Sequence, residues 1–305
     1  MPSLNFELDR GTLAGFAAIL LWSTTVALIR SLSERVGPIT AGVAVYTVGG
    51  IFCMVQLLKS KTPRDQIRNL PSRYLLGCGG LFVLYMLVIY LGIGLANDRH
   101  QVLQVGLLNY LWSAMTILFS LFLLKNKARF PLIPGTLLAL GGIFLVLTEG
   151  SAISWCSLVG NVASNPVVYL LGLTAAISWA LYSNLTRVWG KKASSSGVIL
   201  FIPATAIVLL LVRLSIVESG AWSLAAGVEA ASLGLATALA YVFWDTAMRK
   251  GNLVLVAAFS YFIPLLSTLL SSLYLHVTPG LSLWLGCILI VLGSLMSWKG
   301  VSSSK

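Results

Sequence analysis

The chain has 305 residues, of which 58% are hydrophobic and only 10% are charged, against roughly 25% charged in an ordinary soluble domain. This composition excludes a soluble globular protein and indicates an integral membrane protein. The net charge of +11 does not indicate nucleic-acid binding, because most of the basic residues lie in the short segments between apolar runs.

Apolar runs in chain order predict ten membrane-spanning helices. Each run is close to the roughly 20 residues that a helix needs to cross about 30 Å of hydrocarbon. The runs are continuously apolar, whereas the strands of a membrane barrel alternate. The predicted spans are 12–30, 38–58, 73–96, 101–124, 131–149, 167–188, 197–216, 230–248, 253–275 and 280–298. The expected fold class is therefore an all-α membrane protein.

Residues of the first five spans recur in the last five at nearly constant offsets. The recurring sets are Gly15, Trp22 and Arg30 with Gly172, Trp179 and Arg187, 157 positions apart, and Asn109 and Tyr110 with Ser260 and Tyr261, 151 positions apart. A unit with an odd number of spans must be inverted in its second copy, as is typical of secondary transporters. We predict two inverted five-helix repeats, 1–150 and 167–305, joined by an outer connector at 151–166 and enclosing a central cavity.

The basic residues predict the orientation of these spans. With ten spans, most of the 20 Lys and Arg residues fall on the side that also holds both chain ends. Cytoplasmic loops carry an excess of Lys and Arg, so both termini are predicted to be cytoplasmic.

A polar stripe occurs in both predicted repeats and falls at helical spacing. Its members are Asn109, Trp112 and Thr116 in the fourth span and Ser260, Pro264 and Ser267 in the ninth. Such a stripe would be costly against lipid, so both faces are expected to point into the bundle. The stripe could line a substrate pathway, with Pro264 as a gating kink, or could serve only for hydrogen bonds between helices.

Large rings accompany the stripe at positions inside the spans. They are Trp22, Tyr85, Tyr90, Trp179, Tyr182, Tyr241 and Trp244. Tyr and Trp in the middle of a membrane need partners for their O–H and N–H groups, which favours a wet cavity. A cavity lined by rings, amides and hydroxyls suits an uncharged or zwitterionic organic solute.

Ionisable residues are scarce within the spans. Of nine acidic residues, only Asp245 falls convincingly inside one. It lies four residues before Arg249, which predicts an ion pair on the helix surface. This scarcity argues against a proton-driven cation exporter. Cysteine and histidine spacing indicates no metal site, and no cofactor is expected.

Three stretches of the chain form a recognisable pattern: Leu21-Trp22-Ser23-Thr24, the segment from His100 through Asn109-Tyr110-Leu111-Trp112, and Ser260-Tyr261-Phe262-x-Pro264. They resemble the drug/metabolite transporter superfamily, in its EamA group, and within it the aromatic amino-acid exporters. The resemblance implies a carrier of the bacterial inner membrane that exports amino acids from a cavity between the halves. Two positions differ from the family pattern. Ser113 stands where Pro often follows the tryptophan, and Gln104 stands where the family has a carboxylate.

The sequence thus predicts a transporter that exports aromatic and other neutral amino acids by alternating access, and not an enzyme. A broad-specificity drug or metabolite exporter of the same fold, or a membrane-embedded enzyme, is the alternative. We expect a monomer that contacts membrane lipid and a small-molecule substrate. The predicted substrate-binding residues are Trp22, Tyr85, Asn109, Tyr110, Trp112, Thr116, Trp179, Tyr182, Tyr241, Ser260 and Ser267, with Pro264 as the gating residue.

Overall fold

The computed structural model describes residues 9–59, 68–148, 155–193, 195–274 and 280–302, and these residues are mostly helical. The helices are α1 Arg10–Val36, α2 Pro38–Lys59, α3 Gly79–Gly94, α4 Arg99–Leu123, α5 Leu132–Leu147, α6 Trp155–Ser164, α7 Pro166–Gly190, α8 Val198–Arg213, α9 Leu224–Lys250, α10 Leu253–Phe259, α11 Phe262–Tyr274 and α12 Leu281–Lys299. A π-helical segment, Arg73–Cys78, leads into α3. Two short strands, β1 Lys127–Ala128 and β2 Val301–Ser302, pair in antiparallel fashion.

Several helices meet the requirement for crossing a membrane. Seven helical segments of the described chain are long and apolar enough, and α1, bent by 45° between Thr25 and Leu28, makes an eighth. Two further helices, α5 and α8, are apolar but only 16 residues long. Large aliphatic and aromatic side chains are widely exposed on the outside of the bundle, for example on α2, α4 and α5. The prediction of a helical membrane protein is confirmed.

Polar side chains and one glycine set the helix ends. Asp9, Asp98, Ser223 and Asn252 each accept a hydrogen bond from a backbone N–H of the first turn, which satisfies a donor that has no partner within the helix. At Gly37 the backbone has φ of +92°, a conformation that favours glycine. The chain therefore reverses sharply between α1 and α2.

The helix of the predicted ninth span is interrupted by a turn, although Leu253–Leu270 still forms one segment of membrane-spanning length. It forms α10 and α11, which are separated at Ser260 and Tyr261. Pro264 has no N–H to donate to the carbonyl of Ser260, and its ring crowds that carbonyl. The amide of Ile263 instead bonds the carbonyl of Ser260 at 3.1 Å. The expected distortion at Pro264 is confirmed, and it takes the form of a break four residues earlier.

Close helix pairs hold the bundle together. The main contacts join α5 with α12, α1 with α9, α4 with α7, α2 with α8, and α3 with α7. At the α5–α12 contact, a Cβ added to Gly142 would lie 2.7 Å from the carbonyl oxygen of Gly286. Small residues let these two backbones meet, as is common between helices in lipid.

One end of the bundle, which we call the basic end, collects helix termini rich in Lys and Arg. There the start of α1 meets the turn after α9, since a Cβ on Gly11 would lie 2.5 Å from the amide nitrogen of Gly251. The hydroxyl of Thr12 accepts a hydrogen bond from the amide of Asn252 at 2.8 Å. At the opposite end, a cavity of about 280 Å³ lies beside the α1–α2 turn, the end of α3 and residues 216–219.

Candidate substrate site

The centre of the bundle is occupied by Trp179 on α7, whose side chain is 2% exposed. Seven rings from α1, α3, α4, α7 and α9 surround it. Their centroids lie 4.7 Å (Tyr85), 4.9 Å (Tyr182), 5.6 Å (Tyr241), 5.8 Å (Trp22), 6.0 Å (Phe82), 6.1 Å (Trp244) and 6.3 Å (Trp112) from that of Trp179. We call these eight residues the aromatic cluster. It contains six of the seven aromatic residues that the sequence assigned to substrate binding, and the exception is Tyr110.

The aromatic cluster follows the predicted repeat. Trp22 and Trp179 are 157 positions apart, and Tyr85 and Tyr241 are 156 positions apart. The centroid of Trp22 lies 5.4 Å from that of Tyr241, and Trp179 lies 4.7 Å from Tyr85 in the same way. The two contacts are equivalent under the repeat, and the Trp22–Trp179 contact lies between them. The offset between Tyr85 and Tyr241 is nearly the same as that between Trp22 and Trp179, and it is a sequence signal that could have identified the two tyrosines as equivalent positions.

The aromatic cluster lies at the position at which the sequence predicted a cavity, and its rings contact one another there. Trp112, Tyr182 and Trp244 are 4% exposed or less, while Trp22, Tyr85 and Tyr241 are half-buried. Edge and tilted contacts between such rings are each worth about 0.5–1.5 kcal/mol beyond burial. A flat apolar solute that entered here would replace ring–ring contacts with contacts of the same kind.

Three rings of the centre were not among the predicted binding residues. Trp244 had been singled out as a membrane-embedded ring, and its indole N–H donates to the hydroxyl of Ser183 at 3.2 Å. Phe82 carries no polar atom and gave no sequence signal beyond its position in an apolar run. Tyr46 joins from α2, where its hydroxyl donates to that of Tyr241 at 3.1 Å.

Asn109 on α4 supplies a polar group beside the rings. Its Nδ2 donates to the hydroxyl of Tyr85 at 3.5 Å. Its Oδ1 is buried and accepts no hydrogen bond from the described part of the protein. A buried acceptor without a partner costs about 1–3 kcal/mol, so this oxygen is available to a donor on a ligand. The neighbouring Tyr110 is half-buried and packs against both the main core and the smaller core around α5 and α12.

The hydroxyls of the polar stripe are buried but already have partners. Thr116 donates to the carbonyl of Trp112 at 2.7 Å, and Ser267 donates to that of Pro264 at 3.0 Å. Ser260 bonds the carbonyl of Ala257 at 2.6 Å and shares a hydrogen bond of 2.8 Å with Ser113 across to α4. These contacts are what hydrogen bonding within and between helices would produce.

Asn184 adds a link between helices that sequence reasoning missed. Its Nδ2 donates to the carbonyls of Thr116 on α4 and Ala180 on its own helix, both at 3.0 Å. The backbone of α4 is thereby fixed to α7 close to the aromatic cluster.

The predicted ion pair of Asp245 and Arg249 is present, but its predicted position on the helix surface is wrong. The Nε of Arg249 lies 2.8 Å from the Oδ2 of Asp245, and the two side chains are 3% and 0% exposed. Asp245 also accepts hydrogen bonds from Tyr74 at 2.5 Å and Tyr182 at 3.3 Å. Helical spacing predicted the pair, but the packing of the π-helical segment and α7 against α9 decided its burial.

The site offers chemistry for binding and movement. Within the described ranges, no three metal-ligating side chains converge. Apolar helices that close around rings and an amide have the architecture of a membrane transporter. Comparison with known proteins agrees with that class, since the EamA-like transporter family matches residues 9–148 and again 166–298. The chain belongs to this family, and it is a transporter rather than an enzyme.

Curated relatives extend the likeness over nearly the whole chain. Proteins named aromatic amino acid exporter YddG are 34% identical in Salmonella typhimurium and 32% identical in Escherichia coli, each over 95% of this chain and 97% of the relative. The protein of that name from Ancylobacter novellus is 30% identical over 93% of this chain and 95% of the relative. A solved crystal structure matches with a TM-score of 0.79 and 29% identity, over 94% of this chain and 96% of that one.

Proposed function

We propose that this protein exports aromatic and other neutral amino acids across the bacterial inner membrane by alternating access. The observation that carries the proposal is the aromatic cluster, whose rings meet in the centre of the bundle on both sides of Trp179. The names of the curated relatives support the same substrate class.

The proposed architecture is ten spans in two inverted repeats, 1–150 and 167–305, with both termini in the cytoplasm. The double match to one family, over 9–148 and 166–298, supports the duplication. The packing supports it as well. If α1 corresponds to α7 and α3 to α9, then the contact of α1 with α9 has its counterpart in the contact of α7 with α3. The connector at 151–166 holds the short helix α6.

Binding in this proposal separates the central rings. The side chain of the substrate stacks among Trp22, Tyr85, Trp112, Trp179 and Tyr241, which exchange ring–ring contacts for contacts with it. Oδ1 of Asn109 accepts a hydrogen bond from the ammonium group of the substrate.

The hydroxyl residues of the stripe have a supporting role in the same scheme. The hydroxyls of Thr116, Ser260 and Ser267 bond to backbone carbonyls three or four residues earlier in the chain, and the hydrogen bond between Ser113 and Ser260 links α4 to the end of α10. The break before Pro264 supplies a joint at which α11 can move relative to α10, because two short helices can pivot where one continuous helix cannot. Tyr110 lies at the side of α4 that faces this joint and the smaller core.

Counterflow in proteoliposomes tests the function directly. Vesicles loaded with unlabelled tryptophan should take up labelled tryptophan in a saturable manner, and Trp112→Ala should weaken that uptake. Trp284→Ala is the matched control, because the Trp284 side chain is 54% exposed on α12 and lies away from the centre. Folded protein that exchanges no neutral amino acid would contradict the proposal. If drugs or other metabolites then saturate exchange, the broad-specificity alternative applies.

A further inference from the structure

A buried polar cluster closes the basic end of the bundle. It consists of Tyr74, Tyr182, Asp245 and Arg249, which we call the latch. Asp245 is its centre, since its carboxylate binds the guanidinium of Arg249 at 2.8 Å and accepts hydrogen bonds from Tyr74 and Tyr182 at 2.5 and 3.3 Å. The latch joins the segment before α3 to α7 and α9.

The latch also holds the turn between α7 and α8. Arg249 donates to the carbonyl of Ala193 at 2.8 Å, and the hydroxyl of Tyr74 accepts a hydrogen bond from the amide of Gly197 at 2.9 Å. A Cβ added to Gly190 would lie 3.0 Å from both the ring of Tyr74 and Cδ of Arg249. The two predicted repeats are therefore in close contact at this turn.

One residue of the latch belongs to the aromatic cluster as well. The ring of Tyr182 lies 4.9 Å from that of Trp179 and 5.5 Å from that of Phe82. Its hydroxyl makes the longest hydrogen bond of the latch, to Asp245. Any substrate that displaces Trp179 must therefore also disturb Tyr182.

The latch has no copy in the other repeat. With the offsets of 156 and 157 positions found above, the places of Asp245, Arg249 and Tyr182 are taken by Ile89, Ile93 and Thr25. Aliphatic side chains cannot form an ion pair there. The latch is therefore specific to the basic end. The opposite end is joined by other polar contacts, in which Glu218 accepts hydrogen bonds from the amides of Ile39 and Thr40 and lies 3.6 Å from Arg213.

We propose that the latch is the cytoplasmic gate of the transporter. Asp245 is the positioning residue that holds this gate closed, and Tyr182 links the gate to the substrate site. The inference rests on the proposed function for alternating access and for the basic end facing the cytoplasm. When rings around Trp179 part, Tyr182 withdraws from Asp245, the hold on Arg249 and Tyr74 weakens, and the turn between α7 and α8 can leave α3.

Cys78 provides a native reporter for this gate. It is fully buried and lies one turn after Tyr74. In a protein whose other three cysteines are replaced by Ser, a membrane-impermeant maleimide should alkylate Cys78 only when the gate opens, because a thiol must be exposed to react. Inside-out vesicles present the cytoplasmic face to the reagent, and right-side-out vesicles present the other face.

Asp245→Asn should raise the alkylation rate of Cys78 in inside-out vesicles by about tenfold or more, because an unpaired buried guanidinium destabilises the closed arrangement. Tyr74→Phe, which removes a hydroxyl and keeps the ring, should raise it by a smaller factor. Glu34→Gln is the matched control, since it changes the acid of an i,i+4 pair with Arg30 that is exposed. That variant should leave the rate unchanged.

Unchanged alkylation in folded Tyr74→Phe protein would overturn the proposal, even if Asp245→Asn fails to fold. An equal increase in both vesicle orientations would also overturn it, since that result indicates general loosening. The readout does not depend on the substrate. Faster labelling of Cys78 in the latch variants, without any amino-acid exchange by the protein, would therefore support the latch and contradict the proposed function. Saturable amino-acid exchange with unchanged labelling would support the proposed function and contradict the latch.

Discussion

The aromatic cluster and the hydroxyl stripe both have members in each predicted repeat, yet their side chains make different kinds of contact. The rings of the cluster contact one another, with centroids 4.7–6.3 Å from that of Trp179. The hydroxyls of the stripe bond mainly to backbone carbonyls of their own helices. A ring–ring contact can be exchanged for contact with an aromatic solute, whereas a buried hydroxyl that leaves its carbonyl must find another acceptor. We therefore propose that the rings bind substrate and that the hydroxyls stabilise the helices.

The largest effect on transport is expected from replacing Trp179, the central ring of the aromatic cluster. Trp179→Ala should lower transport efficiency by at least about thirtyfold, because it removes ring contacts worth about 0.5–1.5 kcal/mol each. Trp179→Phe keeps a ring and should retain most of the activity. Rates measured per folded transporter in proteoliposomes check this, since loss of a buried tryptophan also costs stability. Activity of Trp179→Ala equal to that of the exposed-site variant Trp284→Ala would contradict it.

Replacing Asn109 tests whether a polar group beside the rings recognises the ammonium group of the substrate. Asn109→Leu should weaken tryptophan binding by about tenfold, the value of one hydrogen bond of about 1–1.5 kcal/mol. Competition by indole-3-propionate, which lacks the ammonium group, provides the internal control. Asn109→Leu should reduce the preference for tryptophan over this analogue. An undiminished preference would place ammonium recognition elsewhere.

Replacing Pro264 is expected to affect the movement of the helices and to leave substrate binding unchanged. Pro264→Ala restores an N–H that can donate to the carbonyl of Ser260, which favours a continuous helix across the break. We expect the maximal exchange rate to fall about threefold while the half-saturating tryptophan concentration stays the same. Initial exchange rates over a range of concentrations separate the two quantities. A change in the affinity for tryptophan without a change in the maximal rate would contradict a gating role for Pro264.

The smallest effect is expected in the stripe. Ser267→Ala should change transport by less than about twofold, because its hydroxyl only supplements backbone hydrogen bonding at Pro264. Ser113→Ala, which removes an interhelical hydrogen bond to Ser260, should cost about 0.6 kcal/mol of stability with a similarly small effect on transport. Thermal unfolding in detergent and exchange assays measure the two effects. A large loss of transport in Ser267→Ala would indicate that the stripe lines the substrate pathway.

Much of the helical arrangement could be predicted because lipid restricts the choices. An apolar run of about 20 residues in a membrane has to satisfy its backbone hydrogen bonds internally, so helices follow from composition. The recurrence of Trp22 as Trp179 then located the rings that meet at the centre. The break near Ser260 was signalled by Pro264, since proline acts on the carbonyl four residues before it.

Local sequence could not decide which side chains receive partners from distant helices. Phe82 and Tyr46 join the centre only because α2 and α3 pack beside α7 and α9. Asp245 and Arg249 are an ordinary i,i+4 pair by spacing, and they become a buried latch because Tyr74 arrives from a segment about 170 residues away in the chain. The sequence by itself therefore determined the membrane class and the candidate rings, both of which depend on periodicity and polarity along the chain. Only the tertiary structure decided which polar groups are satisfied, buried or free to bind, because burial and hydrogen bonding depend on the helices that surround each residue.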